Sequence, residues 1–354
     1  MPPLSMLIKP VSGSCDLRCR YCFYQEKGSD FMPLATLETI VKKALAFADD
    51  SCTFLFQGGE PTLAGLPFYE ALIAYQRKYN TKRVAIFNAM QTNGMHIDEQ
   101  WVRFFAKHDF LLGLSLDGPQ ALHDQNRPQS FARVMQTAQL LKQANAQFNI
   151  LCVVSRANAA QGKQVYQFFK ENEFKHLQFI PCLDPVGVRR GSLPWSLTPK
   201  GYLAFLTATF DLWLRDVKVG EAPSIRYFDN LLGMVAGQQP EACGMRGICG
   251  CQFVIEADGS VFPCDFYVDD AWKLGNFMND GFADMRFSSI CTRFIAQSLQ
   301  LPASCKACTW HSLCRGGCMR DRCADGKNYF CETYQAFLAH AIPRLTQLIK
   351  EHRR

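Results

Sequence analysis

The sequence predicts an α/β protein: a parallel sheet curved into a partial (β/α)6 barrel, then a smaller cysteine-rich domain and a C-terminal helix. Three observations carry this. Six short apolar runs alternate with helical patterns through the first half of the chain, the periodicity weakens from about Gln238, and eleven of the 17 cysteines lie beyond that point.

The strand-sized runs fall at Met6–Val11, Thr53–Phe56, Val84–Phe87, Leu111–Ser115, Asn149–Val154 and Leu177–Ile180. Between them, TLETIVKKALAFADD and SFARVMQTAQLLKQANA space apolar residues three and four apart, as amphipathic helices do. Repeated β-α units imply a parallel sheet, with a doubly wound open sheet as the alternative closure. Gly, Pro and Arg over Asp184–Pro199 mark a connector, and GYLAFLTATFDLWLRD after it is helical. The expected divisions are residues 1–237 for the barrel with its connector helices, 238–335 for the cysteine-rich domain, and 336–354 for a helix and basic tail.

Nearly half of the 354 residues are apolar, enough for a large core, and the net charge of +6 falls short of a nucleic-acid-binding signature. No apolar run reaches the roughly 18 residues of a membrane span. MPPLSMLIKP has no basic region ahead of an apolar stretch, so no secretory signal is expected. A cytoplasmic protein with neither nucleic-acid nor membrane partners is expected. Cysteine makes up about 5% of the chain, below the disulfide-scaffold range, and thiols in such a setting bind metal, do redox chemistry or sit in the core.

Spacing separates these roles. Cys15, Cys19 and Cys22 stand in SCDLRCRYCFY directly after the first strand. Three thiolates in one loop can hold three irons of a cubane and leave the fourth open to chelate an amino acid's amino and carboxylate groups. A zinc loop is the plainer reading. In the second half, Cys243, Cys249 and Cys264 are followed by Cys305, Cys308, Cys314, Cys318 and Cys331. Eight thiols make two complete sets of four, suited to clusters that pass electrons. Zinc sites, with His311 as an added ligand, are the alternative. Cys52, Cys152 and Cys182 lie in or beside strands and are expected in the core, while Cys251, Cys291 and Cys323 fall outside the pattern.

CDLRCRYC matches the signature of the radical S-adenosylmethionine superfamily, whose members use a partial β/α barrel. The resemblance implies that the first cluster binds S-adenosyl-L-methionine, whose reductive cleavage yields a 5′-deoxyadenosyl radical. It also implies cofactor-side roles for Tyr21 and Phe23 beside Cys22, for the GGEP-like turn Gly58, Gly59 and Glu60, for Ser115 at the fourth strand end, and for Arg127, with Arg133 competing for the cofactor carboxylate. The later cysteines, with Gly259 at the expected place, resemble a SPASM domain. That resemblance assigns Cys243, Cys249, Cys264 and Cys318 to one auxiliary cluster and Cys305, Cys308, Cys314 and Cys331 to another, making three 4Fe–4S clusters in all.

From MPPLSMLIKP through SIRYFDNLL and CGMRGICGCQFVIEADGSVFPCDFYV to the last helix, the chain is similar to the anaerobic sulfatase-maturating enzymes. This implies oxidation of a cysteine or serine in an unfolded sulfatase segment of the Cys/Ser-x-Pro-x-Arg type to Cα-formylglycine, with an electron donor such as flavodoxin or ferredoxin. Asp265, next to Cys264, matches the family's proposed base and would need to reach the proton it takes. Tyr24 and Gln57 resemble substrate-side residues. The rival readings are another SPASM peptide-modifying enzyme and a non-catalytic iron–sulfur electron carrier.

Overall fold

A computed structural model describes residues 3–24, 28 and 30–352. Arg353 and Arg354 of the expected basic tail lie outside the described residues. β1 (Leu4–Ile8), β2 (Ser51–Phe56), β3 (Ala85–Thr92), β4 (Leu111–Ser115), β5 (Phe148–Val154) and β6 (His176–Pro181) lie side by side in chain order, every neighbouring pair parallel. Strand order without a reversal keeps successive crossover helices on one face, so the sheet is singly wound and not doubly wound. Among the described residues the two ends of the sheet are not hydrogen-bonded to each other, which leaves the barrel open.

The helices follow their apolar stripes. Leu34–Phe47 buries Leu37, Ile40, Val41, Ala44 and Leu45, three and four apart. β2 alternates, with Cys52, Phe54 and Phe56 fully buried. The apolar runs located the six strands to within a few residues. The largest differences are at β1, which starts and ends earlier than expected, and β3, which continues to Thr92.

Three further short strands carry the cysteine-rich region onto this sheet. β7 (Ser224–Ile225) extends the edge beyond β6. β8 (Val254–Ile255) pairs in parallel with β1, and β9 (Ser260–Phe262) and β10 (Gly275–Asn276) follow antiparallel. The hydrogen-bonded sheet thus runs without a break across the point where the sequence periodicity fades. Gly259 adopts a positive φ of 84° in the β8–β9 turn, a conformation glycine takes at no steric cost. Leu7, Val254 and Phe262 form a small apolar cluster of their own, flanked by Leu55 and Val268. Leu7 pairs with Leu55 and with Val254, so this cluster marks the barrel-side face at the β1–β2–β8 junction.

The last helix, Cys331–His352, starts five residues before the expected boundary at 336. It packs on the helix Pro199–Lys218 through Phe337 and Phe210, with ring centroids 5.6 Å apart, and through the 2.6 Å His340–Asp211 pair. The connector Asp184–Pro199 is pinned by Arg190, whose Nη2 donates to Asp321 Oδ1 at 2.7 Å. Among the described residues no helix is long and apolar enough to cross a membrane.

Candidate functional site

Parallel β/α folds place their sites at the C-terminal strand ends, and the predicted cysteine loop and GGEP turn lie there. The loop bearing Cys15, Cys19 and Cys22 leaves β1, and the turn Gln57–Pro61 leaves β2. Their contact explains the second glycine. A Cβ on Gly59 would come within 2.1 Å of the Ser14 carbonyl oxygen, and Glu60 N–H donates to that oxygen at 2.8 Å. Asn93, after β3, ties the same loop down by donating from Nδ2 to Asp16 Oδ1 at 2.7 Å.

The Glu60 carboxylate faces into the protein. It accepts from Thr62 N, Thr62 Oγ1, Thr92 Oγ1 and Asn93 N, at 3.1, 2.6, 2.7 and 2.7 Å. Burial raises its pKa against these four donors. What this turn offers a ligand is therefore backbone and not the carboxylate. Gly58 has a different neighbour, since a Cβ there would sit 2.7 Å from Lys9 Cγ and Cδ.

The arginine expectations change in detail. Arg127 is buried; its Nε donates to Tyr21 Oη at 2.6 Å and to Asp117 Oδ2 at 3.2 Å, and its Nη1 reaches Cys19 Sγ at 3.7 Å. Tyr21 also donates to Asp117. These two expected cofactor contacts thus form a buried triad with Asp117 behind the cysteine loop. Arg133 bonds the Met95 and Ile97 carbonyls and Gln136, so its guanidinium secures the loop after β3. Ser115, the last residue of β4, is buried at the expected place.

Cys15, Cys19 and Cys22 lie close enough for each to sense the next one's charge, and burial pushes the Cys15 thiol up to about 12. Cys243, Cys249, Cys264 and Cys318 form a second mutually interacting group, and Cys305, Cys308, Cys314 and Cys331 a third. The third group lines a cavity of about 100 Å³ together with Trp310, His311 and Gln335, well above the size of ordinary packing voids. Zinc would require sulfurs converging about 2.3 Å from one ion. Among the described residues no three His, Cys, Asp or Glu side chains gather that way. Grouped but spread thiols fit a wider multi-iron cluster, and binding iron would drive off the protons that burial retains. Cys52, Cys152 and Cys182 are buried in the core as expected.

Asp265 joins the first and second groups. It follows Cys264 in a short 3-10 turn and is 8% exposed. Gln57 Nε2 donates to its Oδ2 at 3.0 Å, and Lys9 Nζ lies 2.5 Å from its Oδ1. Tyr24 donates to Glu256, its ring face receives Lys9 Nζ 3.2 Å from the centroid, and Phe23 packs edge-on against Phe266 at 5.3 Å. The cysteine loop therefore meets the segment after Cys264 directly.

Residues 10–168 match the family model of the radical SAM superfamily, and 247–309 match that of the SPASM iron-sulfur cluster-binding domain. A cysteine-type anaerobic sulfatase-maturating enzyme of Clostridium perfringens (strain 13 / Type A) is 46% identical over 98% of both chains. The chain belongs to the anaerobic sulfatase-maturating enzymes. A serine-type member from Bacteroides thetaiotaomicron is 32% identical over 99% of this chain and 92% of its own. The solved structure of native anSMEcpe with bound AdoMet and Cp18Cys peptide superposes with a TM-score of 0.96, at 46% identity over 99% of each chain. As a radical SAM oxidoreductase of this family, the enzyme uses 4Fe–4S clusters and S-adenosylmethionine.

Sequence reasoning missed Lys9, Glu256 and the hydrogen-bonded thiol pair Cys251–Cys291. A signal existed for Lys9: a lone cation closing the apolar run LSMLI, one strand end from the cysteine loop. Nothing local distinguished Glu256 from a solvated turn residue.

Proposed function

We propose that the enzyme oxidises a cysteine in an unfolded sulfatase segment to Cα-formylglycine. Its stronger similarity to the cysteine-type than to the serine-type relative supports cysteine over serine. Cys15, Cys19 and Cys22 would hold the cluster that binds S-adenosylmethionine, with the backbone of Gly58 and Gly59, Ser115, Tyr21 and Phe23 around it. Arg127 would act on that site through Cys19. The two four-cysteine groups would hold the auxiliary clusters. When bound, these groups supply a hydrogen-abstracting carbon radical and an acceptor for the remaining electron.

The observation that carries the reading is the setting of Asp265. Its Oδ2 is held by Gln57 and its Oδ1 by the buried Lys9 ammonium, and it stands where the cysteine loop meets the segment after Cys264. A carboxylate fixed in place at the meeting of the two cysteine groups suits removal of the heteroatom proton as the Cβ–S bond becomes a double bond. The chain's own contribution is then to bind and orient the peptide at the mouth bordered by Tyr24 and Gln57, and to take that proton on the Asp265 carboxylate. Water afterwards converts the thioaldehyde to the aldehyde with release of sulfide.

A cytoplasmic location and a flavodoxin or ferredoxin as electron donor belong to the same reading. The test is anaerobic incubation of reconstituted enzyme with dithionite, S-adenosylmethionine and a Cys-x-Pro-x-Arg peptide, alongside its serine counterpart. Mass spectrometry should show the aldehyde forming several-fold faster from the cysteine peptide. Formation of 5′-deoxyadenosine with no aldehyde from either peptide would refute the assignment, and a serine preference would refute the substrate choice.

A further inference from the structure

We propose that Lys9 is a positioning residue for the oxidation, its buried ammonium holding the Asp265 carboxylate in its working orientation from the barrel side. The inference rests on Asp265 being the proton acceptor and adds the group that aims it.

Lys9 is fully buried, and a buried charge is costly unless it is paired. Its ammonium meets three partners: Asp265 Oδ1 at 2.5 Å, the Tyr24 ring with its centroid at 3.2 Å, and Glu256 Oε1 at 3.9 Å. Glu256 is fixed in turn by the Tyr24 hydroxyl and by its place on the β8–β9 turn, where Glu256 N–H bonds the Ser260 carbonyl at 2.9 Å. The ammonium is thus anchored by Glu256 and Tyr24 on one side and pulls on Asp265 on the other. Its contact with Oδ1 is a close, buried ion pair. It therefore restrains the carboxylate from one oxygen. Gln57 supplies the directional bond on the opposite oxygen.

The backbone is arranged for this side chain. Lys9 N–H bonds the Ile255 carbonyl at 2.8 Å, carrying the β1–β8 pairing one residue past β1. Strand alternation puts Lys9 on the same face as Leu7, and Gln57 on that of Leu55, its register partner. Two neighbouring strand ends thus present the two groups that hold Asp265. The lysine stem passes over Gly58, where a Cβ would stand 2.7 Å from Cγ and Cδ. One glycine of the GGEP turn is accounted for by room for Lys9, independently of any ligand.

The experiment compares Lys9→Met, which keeps the stem and removes the charge, with Asp265→Asn in fully reconstituted enzyme. Iron content, 5′-deoxyadenosine formation and formylglycine formation are measured together, with KM and kcat for the peptide. K9M should retain its clusters and cleave S-adenosylmethionine within about twofold of the parent. Formylglycine formed per deoxyadenosine should fall tenfold or more, the loss lying in kcat with KM changed by less than about threefold. An unchanged ratio, or a loss confined to KM, overturns the positioning role. If D265N itself couples normally, the underlying assignment of the base fails instead, whatever K9M does. Should K9M not assemble its clusters, Lys9→Gln is scored by the same ratio; if neither variant assembles them, Lys9 is a folding residue and the inference falls.

Discussion

Arg127 Nη1 lies 3.7 Å from the Sγ of Cys19, while the Nε of the same guanidinium is bonded to Tyr21 and Asp117. Fully buried Asp117 also accepts from Val153 N–H through Oδ1 at 2.9 Å. The cysteine loop is therefore braced by an ion pair that spans β4, β5 and the segment after Asn126. Removing only the cation strands a buried carboxylate, at a typical cost of about 3–5 kcal/mol. Arg127→Met should lower anaerobic thermal stability by that order, and Asp117→Asn added to it should restore part of the loss. A neutral R127M would show that the pair is not structurally coupled to the loop.

Three clusters of four irons contain about twelve iron and twelve sulfide per chain. Cys22→Ala and Cys331→Ala should each bring the count to about eight. Only C22A should abolish 5′-deoxyadenosine formation, because only the first group is expected to meet the cofactor. If C331A abolished cleavage as completely as C22A, the division of labour among the three groups would be wrong.

Asp265→Asn keeps the shape and a partner for Gln57 but gives up the acceptor. A positioned general base contributes on the order of 10²–10⁴ in rate, so formylglycine formation should drop within that range while cofactor cleavage persists. Equal loss of both products would mark Asp265 as structural.

His123 reports on folding rather than catalysis. Its Nδ1 accepts from Asp117 N–H at 3.2 Å and its Nε2 meets Ser130 Oγ at 2.8 Å, while that hydroxyl donates to the Arg127 carbonyl. The ring is thus held neutral, and burial pushes its pKa down to about 4. The unfolded ring takes a proton near pH 6.5 and the folded ring only near 4, so acidification through that window favours unfolding, by roughly 3 kcal/mol at its limit. His123→Gln should lose less thermal stability than the parent between pH 7 and 5, measured anaerobically. Parallel curves would assign the acid sensitivity elsewhere.

Much of this was legible in sequence because it is local. Apolar periodicity located six strands and their helices, and the spacing of Cys15, Cys19 and Cys22 is a covalent property of one loop. The GGEP turn was visible too, but its reasons were not. Gly59 is required by the Ser14 carbonyl and Gly58 by the stem of Lys9, contacts between segments about 45 to 50 residues apart.

By itself the sequence determined the repeating β-α order and the cysteine-rich second half, since these depend on residue kind and short spacing, whereas the division of the later cysteines into two groups came from resemblance. Tertiary structure alone decided that β8 would pair with β1. That pairing carries Asp265, Glu256 and Lys9 into one buried cluster, although Lys9 and Asp265 are separated by more than 250 residues. The physical reason is that an ion pair needs proximity in space, and no periodic pattern encodes which distant strand end will supply the countercharge.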